Sequence, residues 1–306
     1  MNPPLIHLIV VLYNSNDAFT TLWLHLATQR FRDWRLIAID NASADRSLNT
    51  LRALADPRVT IQANATNLGF AGAVNQGLRL AAQQDAQRCL LLNPDTVLPP
   101  DFLQDLTDTW LEHEWAVVAP RVMRLEDPAR SWYAGGYLDD GWTFANRHEE
   151  YRAEDPPTPR VVDFASGCCL GLSIEALQQV GLLDESFFVY WEDTDYCMRL
   201  KAAGIPIHYL PEPSLLHEGG ASSGGETSPA ATRLFYTSYA LLLRKHFGLR
   251  VTLRTMGRVL RAEYARPGGG LPRARLIAAV MLRGLRQPLW PEPRLPSATA
   301  HSARPQ

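Results

Sequence analysis

The sequence predicts an α/β fold in which helices flank a mostly parallel central sheet. Through about the first 120 residues, short apolar runs rich in β-branched residues alternate with segments of helical period, which is typical of βαβ units. The 306 residues are 46% hydrophobic and 20% charged, which is enough to bury a sizeable core. These proportions exclude a wholly disordered chain.

The first third of the chain supplies the regular part of this pattern. Residues 5–12 are apolar throughout and β-branched in the middle, as expected of a strand buried on both faces. Phe19, Trp23 and Leu26 then recur at helical spacing and predict a helix over 18–30. The elements predicted next are a strand at 36–39, a helix at 48–54, a strand at 59–61, a helix at 71–82, a strand at 89–92, a helix at 102–113 and a strand at 116–119.

The rest of the chain is less regular. A charged, proline-rich stretch at 147–160 indicates an excursion on the surface. The elements predicted after it are a strand at 161–164, a small-residue segment at 166–173, a helix at 174–180, a helix at 195–203 capped by Thr194, a strand at 205–210, and helices at 233–247, 249–265 and 275–286.

Charge divides the chain into two parts. The net charge of −2 argues against a dedicated nucleic-acid binder. From Arg233 onward, however, 14 Lys and Arg stand against 2 Asp and Glu, a charge of +12, so the residues before it carry −14. We therefore predict a main unit over 1–230, a basic helical extension over 231–287, and a frayed, disordered tail over 288–306.

The cysteines and the apolar segments bear on the compartment. Cys89, Cys168, Cys169 and Cys197 form neither a disulfide framework nor a C-x-x-C metal motif, so reduced thiols are expected. The N-terminus lacks the basic region of a signal peptide, and no apolar run approaches the ~20 residues that span a bilayer. We expect a cytoplasmic protein.

Polar residues follow the predicted strands at the ends where an open α/β sheet binds ligands. Tyr13 and Asn14 follow the first strand, and Asp40 and Asn41 follow the second. The pair Asp40 and Asn41 has two interpretations: contact with a ligand, or an Asx-turn that caps the next helix. The residues alone leave both open.

The loop after the third strand carries Asn67, Gly69 and Gly72 and leads into a helix. Small residues at a helix start let backbone N–H groups approach an anion such as a diphosphate. The loop is not the dinucleotide-binding fingerprint, because it follows the third strand and has only two closely spaced glycines. It indicates a phosphate-bearing ligand without identifying it.

After the fourth strand, Pro94 stiffens the chain and presents Asp95 at the edge of the sheet. One carboxylate, with ligand phosphates and water, is the usual way in which Mg²⁺ or Mn²⁺ is bound beside a nucleotide. The alternative is a turn aspartate that caps the following helix.

Residues 184–195 contain the densest group of acids. The helix dipole explains Asp195 at a predicted helix start, but it explains the run Trp191, Glu192 and Asp193 poorly. An aromatic ring beside adjacent acids suits sugar stacking and a general base. Further along, His217 precedes a glycine-rich loop; a lone histidine is usually a packed or surface residue, but beside a diphosphate and a metal it becomes a candidate ligand.

In this order the motifs resemble the inverting family-2 glycosyltransferases, which have the GT-A fold, and within them the rhamnosyltransferase-like branch. The matching stretches are 9–17, 39–45, 67–77, 90–97, 167–173, 184–204 and 217–223. Each is weak alone, but seven in the family's order are specific. The resemblance covers about residues 5–225 and implies a donor-binding half over about 1–120 and an acceptor and catalytic half over about 121–230.

The resemblance also implies the roles of particular residues. Asp40 would hydrogen-bond the pyrimidine of the donor nucleotide. The other donor-binding or substrate-binding residues would be Tyr13, Asn14, Asn41, Asn67, Gly69, Asn93, Trp191 and Glu192.

Metal binding and catalysis would fall to three further positions. Asn93-Pro94-Asp95 stands where the family has its D-x-D motif, so Asp95 would hold a divalent cation, Mg²⁺ or Mn²⁺, across the donor diphosphate. Asn93 replaces the first aspartate, as is common in this branch. His217 matches a histidine that completes the metal or diphosphate site, and Asp193 matches the catalytic base.

The implied activity is transfer of a sugar from a nucleoside-diphosphate donor, with dTDP-rhamnose as our leading expectation, to a glycan or a polyprenyl-diphosphate-linked glycan in cell-surface polysaccharide synthesis. One alternative is a non-catalytic relative that only binds nucleotide sugars. Another is a sugar nucleotidyltransferase, which would need a glycine-rich signature with a basic residue after the first strand; residues 13–17 supply none.

The basic extension fits a lipid-linked acceptor. Arg250, Arg254, Arg258 and Arg261 fall on one helical face, and Leu249, Leu253, Met256 and Leu260 form an adjoining apolar stripe. Such a helix can lie on the anionic inner face of the plasma membrane. The alternatives are packing on the catalytic unit and contact with another subunit.

Overall fold

The computed structural model describes residues 6–139, 145–150, 158–219, 228–266, 270–289 and 293–295. Its main sheet has ten strands, of which eight follow the order β10-β12-β6-β11-β4-β1-β2-β3, while β5 pairs with β12 and β7 with β6. A separate pair is formed by β8 and β9. The strands are β1 Ile6–Leu12, β2 Trp34–Asp40, β3 Val59–Ala63, β4 Arg88–Leu92, β5 Thr96–Val97, β6 Val117–Arg124, β7 Ser131–Tyr133, β8 Gly136–Asp139, β9 Ala145–His148, β10 Arg160–Val162, β11 Cys169–Ser173 and β12 Ile207–His217.

The helices lie between these strands and after the last of them. They are α1 Asn16–Ala27, α2 Ser47–Ala53, α3 Gly69–Gln83, α4 Phe102–Glu112, α5 Ile174–Val180, α6 Glu192–Ala202, α7 Pro229–Ala265 and α8 Leu271–Arg286. None of the described helices has the length and apolar character needed to cross a bilayer.

The predicted α/β class is confirmed. Strands β1, β2, β3 and β4 are parallel, and β11 then runs antiparallel between β4 and β6. Strand β1 lies between β2 and β4, so the connection from β1 to β2 runs toward one edge of the sheet, and the later strand β4 lies on the opposite side of β1. The loops at the carboxyl ends of β1 and β4 therefore diverge and leave a crevice, where ligands bind in open α/β sheets.

Two boundaries differ from prediction in ways that matter for function. The expected cap at Thr194 is wrong: α6 begins at Glu192, and Trp191 precedes it in the left-handed conformation, with φ of 71°. The last strand, predicted to end at 210, continues to His217 because it gains β6 and β5 as partners. His217 is thus held at the end of a strand.

The C-terminal extension is a bundle. Gly248, with φ of 76°, breaks α7 into a first arm (229–247) and a second arm (249–265), so the two predicted helices are present. The arms fold back on each other, because the Tyr236 hydroxyl on the first lies 2.9 Å from Glu263 Oε1 on the second. Helix α8 packs on both: Gly284 lies against the backbone of Thr237, and Arg273 contacts Glu263 at 2.5 Å.

The bundle packs on the main unit through its own hydrophobic cluster. The buried members of this cluster are Phe187, Trp191, Tyr239, Ala240, Leu241, Leu242, Leu243, Met256, Ile277 and Met281. They come from α7, α8 and the segment just before α6. Of the predicted tail, the structure describes only part, and in that part Leu182 N donates to the Pro293 carbonyl at 2.8 Å.

Candidate active site

A cavity of about 470 Å³ opens at the crevice between β1 and β4. It is lined by ten of the twelve predicted site residues: Tyr13, Asn41, Asn67, Gly69, Asn93, Asp95, Trp191, Glu192, Asp193 and His217. Asn14 and Asp40 are not among the residues that line it. The predicted motifs, far apart in sequence, therefore meet at one place.

One corner of the cavity is formed by Asp95 and His217. The short strand β5 pairs with the end of β12 so that Thr96 lies opposite His217, which places Asp95 beside the imidazole. Asp95 Oδ1 lies 3.1 Å from His217 Nε2, and both side chains are buried. Asn93 Nδ2 approaches the same ring nitrogen at 3.4 Å.

The chemistry of this corner fits a divalent cation. A carboxylate oxygen and an imidazole nitrogen are both ligands that Mn²⁺ accepts, and the buried His217 Nδ1 has no hydrogen-bond partner among the described residues. Within the same described residues, no three His, Cys, Asp or Glu side chains cluster to form a complete metal site. For a divalent cation these two residues would supply two ligands, and the remaining positions would be left to a diphosphate and water.

Asn41 organises the loop before α3. Its Nδ2 donates to Asn67 Oδ1 at 2.9 Å and to the Gly69 carbonyl at 3.1 Å, and its Oδ1 accepts from the backbone N–H of Leu68 at 3.0 Å. The N–H of Gly69 donates to Asn67 Oδ1 at 2.8 Å.

These bonds limit how the start of α3 could meet a diphosphate. The N–H groups of Leu68, Gly69 and Phe70 are hydrogen-bonded to protein acceptors, the last to the Phe188 carbonyl at 2.6 Å. Gly69, with φ of +75°, allows this approach, since a Cβ there would overlap with the Phe188 carbonyl. The glycine joins the α3 loop to the segment before α6.

Asn14 and Asp40 contact the loops next to the cavity. Asn14 Oδ1 accepts from the Ala44 N–H at 2.7 Å and so holds the loop between β2 and α2. Asp40 ends β2 and is 1% exposed; its Oδ2 accepts from the Ser43 N–H at 3.4 Å, while its Oδ1 has no partner among the described residues. Both residues hold loops beside the cavity, and their contact with a donor nucleotide stays a prediction.

The acids before and within α6 occupy another wall. Asp193 Oδ1 accepts from the Thr194 N–H at 2.7 Å, and its Oδ2 accepts from the Gly167 N–H at 3.3 Å. Glu192 is 6% exposed, and its Oε2 has no partner among the described residues. Both side chains also line the cavity.

The pKa values of the two acids are raised. Burial raises the pKa of Glu192 well above its usual value, and the neighbouring Asp193 raises it further. Burial also raises the pKa of Asp193, although hydrogen bonds from Gly167 and Thr194 oppose this. Both acids of this wall therefore hold a proton more readily than an exposed carboxyl does.

The pKa of Asp195 is shifted in the opposite direction. It points away from the cavity into an ion-pair cluster with Arg199, Lys245 and His246, at distances of 2.9, 2.8 and 2.8 Å. Burial opposes its ionisation, but the His246 hydrogen bond and the two cations outweigh burial and lower its pKa to about 2. Because Lys245 and His246 belong to α7, this cluster fastens the C-terminal bundle to α6.

Sequence reasoning missed several residues of the cavity. Leu234 and Phe235 come from α7, where the Phe235 ring lies 5.1 Å from that of Trp191. Trp132, Phe164 and His148 come from the irregular middle of the chain. No motif marks any of them; only the concentration of aromatic residues in the middle segment could have drawn attention to that region.

Comparisons with known proteins bear on this arrangement. Over 264 residues, covering 76% of this chain and 82% of the relative, the sequence is 29% identical to the N-acetylglucosaminyl-diphospho-decaprenol L-rhamnosyltransferase of Mycobacterium tuberculosis. It is 24% identical over 261 residues to the dTDP-rhamnosyl transferase RfbF of Shigella flexneri, covering 81% and 83% of the two chains.

Solved structures share the fold at lower identity. GalNAc-T7, solved with UDP, GalNAc and Mn²⁺, superposes with a TM-score of 0.62 at 15% identity, over 95% of this chain and 59% of that one. Residues 1–349 of S. aureus TarS give a TM-score of 0.56 at 15% identity, over 92% and 81%. These likenesses confirm the GT-A-like fold.

A profile of the family described as glycosyl transferase family 2 matches residues 7–181, more than half of the chain. Together with the rhamnosyltransferase relatives, this match confirms the resemblance drawn from the motifs and the assignment as an enzyme. The chain belongs to glycosyl transferase family 2 and is a glycosyltransferase of the rhamnosyltransferase-like type.

Proposed function

We propose that this enzyme transfers rhamnose from a dTDP donor to a hydroxyl group of a lipid-linked glycan, with inversion at the anomeric carbon and with the help of a divalent cation. The observation that carries the proposal is that the Asp193 carboxylate lines the same cavity as the paired Asp95 and His217. Direct displacement of a diphosphate by a hydroxyl requires a base for the hydroxyl proton and a group that stabilises the leaving anion, and this cavity contains candidates for both.

Asp193 is suited to accept the proton of the attacking hydroxyl. Its raised pKa makes it a better base than an exposed aspartate, and the N–H groups of Gly167 and Thr194 fix its orientation. The hydroxyl oxygen then attacks the anomeric carbon from the face opposite the diphosphate, and the bond to the diphosphate breaks.

Asp95 and His217 would hold the cation, which supplies positive charge next to the leaving diphosphate. Since no third His, Cys, Asp or Glu side chain joins them within the described part of the chain, cation binding should depend on the donor. Asn41, Asn67 and Gly69 keep the wall of the donor pocket in shape, as their hydrogen bonds indicate.

The names of two relatives support the proposed classes of donor and acceptor. The name of the Shigella protein specifies a dTDP-rhamnosyl donor, and that of the mycobacterial protein specifies an N-acetylglucosaminyl-diphospho-decaprenol acceptor. We infer the same classes for this chain: a deoxythymidine diphosphate sugar, and a glycan attached to a polyprenyl diphosphate.

The decisive test is a panel of nucleotide sugars, with released nucleoside diphosphate and transferred sugar as readouts. Asp193→Asn keeps the shape of the side chain but removes the base, so transfer should fall by roughly 10²–10⁴-fold while donor affinity stays unchanged. Asp105→Asn is the matched control, since Asp105 also lies in the first turn of a helix but is exposed and outside the cavity. Normal transfer by Asp193→Asn would refute the assignment.

The corner formed by Asp95 and His217, the metal corner, is tested separately. Asp95→Ala should abolish Mn²⁺-dependent donor binding, and Asn93→Ala should weaken it less, since a neutral amide is the poorer ligand. Mn²⁺ titrated without nucleotide should bind far more weakly than Mn²⁺ titrated with dTDP. Full activity of the wild type in EDTA would contradict the proposed role of the cation.

We further infer that the C-terminal bundle rests on an anionic membrane, as a lipid-linked acceptor requires. Arg250, Arg254 and Arg261 are exposed on the second arm, and exposed apolar side chains accompany them. These apolar side chains are Leu249, Val251, Leu253 and Tyr264. The predicted apolar stripe is thereby corrected, since Met256 is buried and Leu260 packs in the cluster inside the bundle.

Vesicle binding tests the membrane contact. A variant with Arg250, Arg254, Arg258 and Arg261 changed to Gln should bind phosphatidylglycerol vesicles less tightly, each arginine contributing about 1 kcal/mol at low salt. The control changes four exposed arginines of the main unit, Arg32, Arg35, Arg46 and Arg52, to Gln and so alters net charge equally. Equal loss in both variants would show that only net charge matters.

A further inference from the structure

We propose that His148 is a substrate-binding residue of the acceptor side, whose Nε2 accepts a hydrogen bond from a hydroxyl of the acceptor sugar next to the attacking hydroxyl. The proposal rests on the proposed glycosyl transfer and adds a residue that no motif indicated. His148 is the last residue of β9 and lines the cavity.

The imidazole has a defined hydrogen-bonding pattern. Its Nδ1 lies 2.9 Å from the carbonyl oxygen of Trp132. A carbonyl can only accept, so Nδ1 must carry the hydrogen, and in the neutral ring Nε2 is then an acceptor. Because the side chain lines the cavity, the lone pair of Nε2 can accept a hydrogen bond from a hydroxyl group there.

Aromatic side chains keep the ring in place. Trp132 and Tyr133 meet it edge to face, with centroid distances of 5.2 and 5.8 Å, and Phe164 lies 5.3 Å away. The hairpin that carries His148 is bound to the main unit, since the N–H of Phe164 donates to the Gly136 carbonyl at 3.2 Å. The ring is thus held before any substrate arrives, which lowers the entropic cost of binding.

The position of the ring indicates the acceptor side. His148 and Asp193 both line the cavity, and one short segment reaches both: Phe164 lies 5.3 Å from the His148 ring, and the N–H of Gly167 donates to Asp193 Oδ2 at 3.3 Å. Among the described residues, the His148 ring contacts Trp132, Tyr133 and Phe164, whereas the corner formed by Asp95 and His217 contacts Trp132 at 4.6 Å. Because inversion requires attack from the face opposite the diphosphate, a group beside the base and away from that corner meets the acceptor.

The test compares transfer with hydrolysis of the donor by water. His148→Ala should lower kcat/KM for an N-acetylglucosaminyl glycoside acceptor by about tenfold, the effect of one lost hydrogen bond, and leave donor hydrolysis and the Kd for dTDP unchanged. His148→Gln retains an acceptor oxygen and should recover part of the loss. His113→Ala is the control, since His113 is exposed, stacks on Trp115 and lies outside the cavity.

The outcomes separate the two proposals. If the wild type neither transfers nor hydrolyses any nucleotide sugar, the proposed function fails, and this inference fails with it. If the wild type transfers and His148→Ala keeps the wild-type acceptor kcat/KM, only the inference is overturned. A parallel fall in transfer, hydrolysis and dTDP affinity would likewise overturn it, because it would show a merely structural role.

Discussion

Replacing Asp195 with Asn should destabilise the enzyme without touching its chemistry. Asp195 is fully buried, does not line the cavity and faces Arg199, Lys245 and His246. Its pKa falls from 3.8 to about 2, and each unit corresponds to ~1.36 kcal/mol, so the ionised group contributes about 2–3 kcal/mol at neutral pH. Leaving partly buried cations without their carboxylate raises the cost toward ~3–5 kcal/mol.

We therefore expect Asp195→Asn to lose about 3 kcal/mol of unfolding free energy in urea, with a fall in Tm of roughly 6–12 °C. Because the pKa is lowered on folding, the stabilisation is complete above the unfolded pKa and disappears as pH falls toward 2. The difference between variant and wild type should accordingly shrink between pH 5 and pH 3.

Asp163→Asn is the matched control for this prediction. Asp163 pairs with Lys201 at 2.8 Å, but the side chains are 38% and 62% exposed, so its loss should cost less than about 1 kcal/mol. Equal stability of Asp195→Asn and wild type at pH 7 would refute the reasoning, as would a difference that does not depend on pH.

Two further predictions concern the segment around Gly69 and the acid next to the base. Gly69→Ala should cost several kcal/mol of unfolding free energy and weaken dTDP binding, because the added Cβ would overlap with the Phe188 carbonyl. Gly204→Ala is the control: Gly204 has nearly the same φ, +72°, but open space around it, so the substitution should cost only the ~1 kcal/mol of left-handed strain. Equal losses in unfolding experiments would contradict the role of the Phe188 contact. Glu192→Gln should flatten the dependence of stability on pH above about 4.5. A carboxyl whose pKa is raised on folding stabilises the fold fully below its unfolded pKa and loses that contribution as pH rises. An unchanged slope in urea titrations at different pH would show that the pKa of Glu192 is not raised.

Local patterns predicted much of the structure, and most of the predicted site residues line the cavity. The first strands and helices follow from hydrophobic period alone, and position at the ends of strands was enough to predict that Asn41, Asn67 and Asp95 lie at one sheet edge. The end of β12 could not be predicted in the same way. Its extension to His217 depends on pairing with β5 and β6, about 120 and 95 residues earlier in the chain, and such pairing leaves no local signal.

The start of α6 was missed for a different reason. Thr194 is a good capping residue by type, whereas Trp191 in a left-handed conformation costs energy that local preference does not predict. The cost is offset by tertiary contacts, since the Trp191 ring stacks on Tyr239 of α7 at 4.6 Å. A strained residue held by packing at the edge of a cavity is typical of functional sites.

The charge asymmetry of the chain now has two separate physical explanations. One part of the basic extension faces inward: Lys245 lies 2.8 Å from both Asp184 and Asp195, and so neutralises acids of the main unit. The other part, including Arg250 and Arg261, faces outward on the second arm. Since the first arm also contributes Phe235 to the cavity, the extension cannot be a detachable anchor. The arm that carries the outer arginines packs on the arm that contributes Phe235 to the cavity wall, so both belong to one packed bundle.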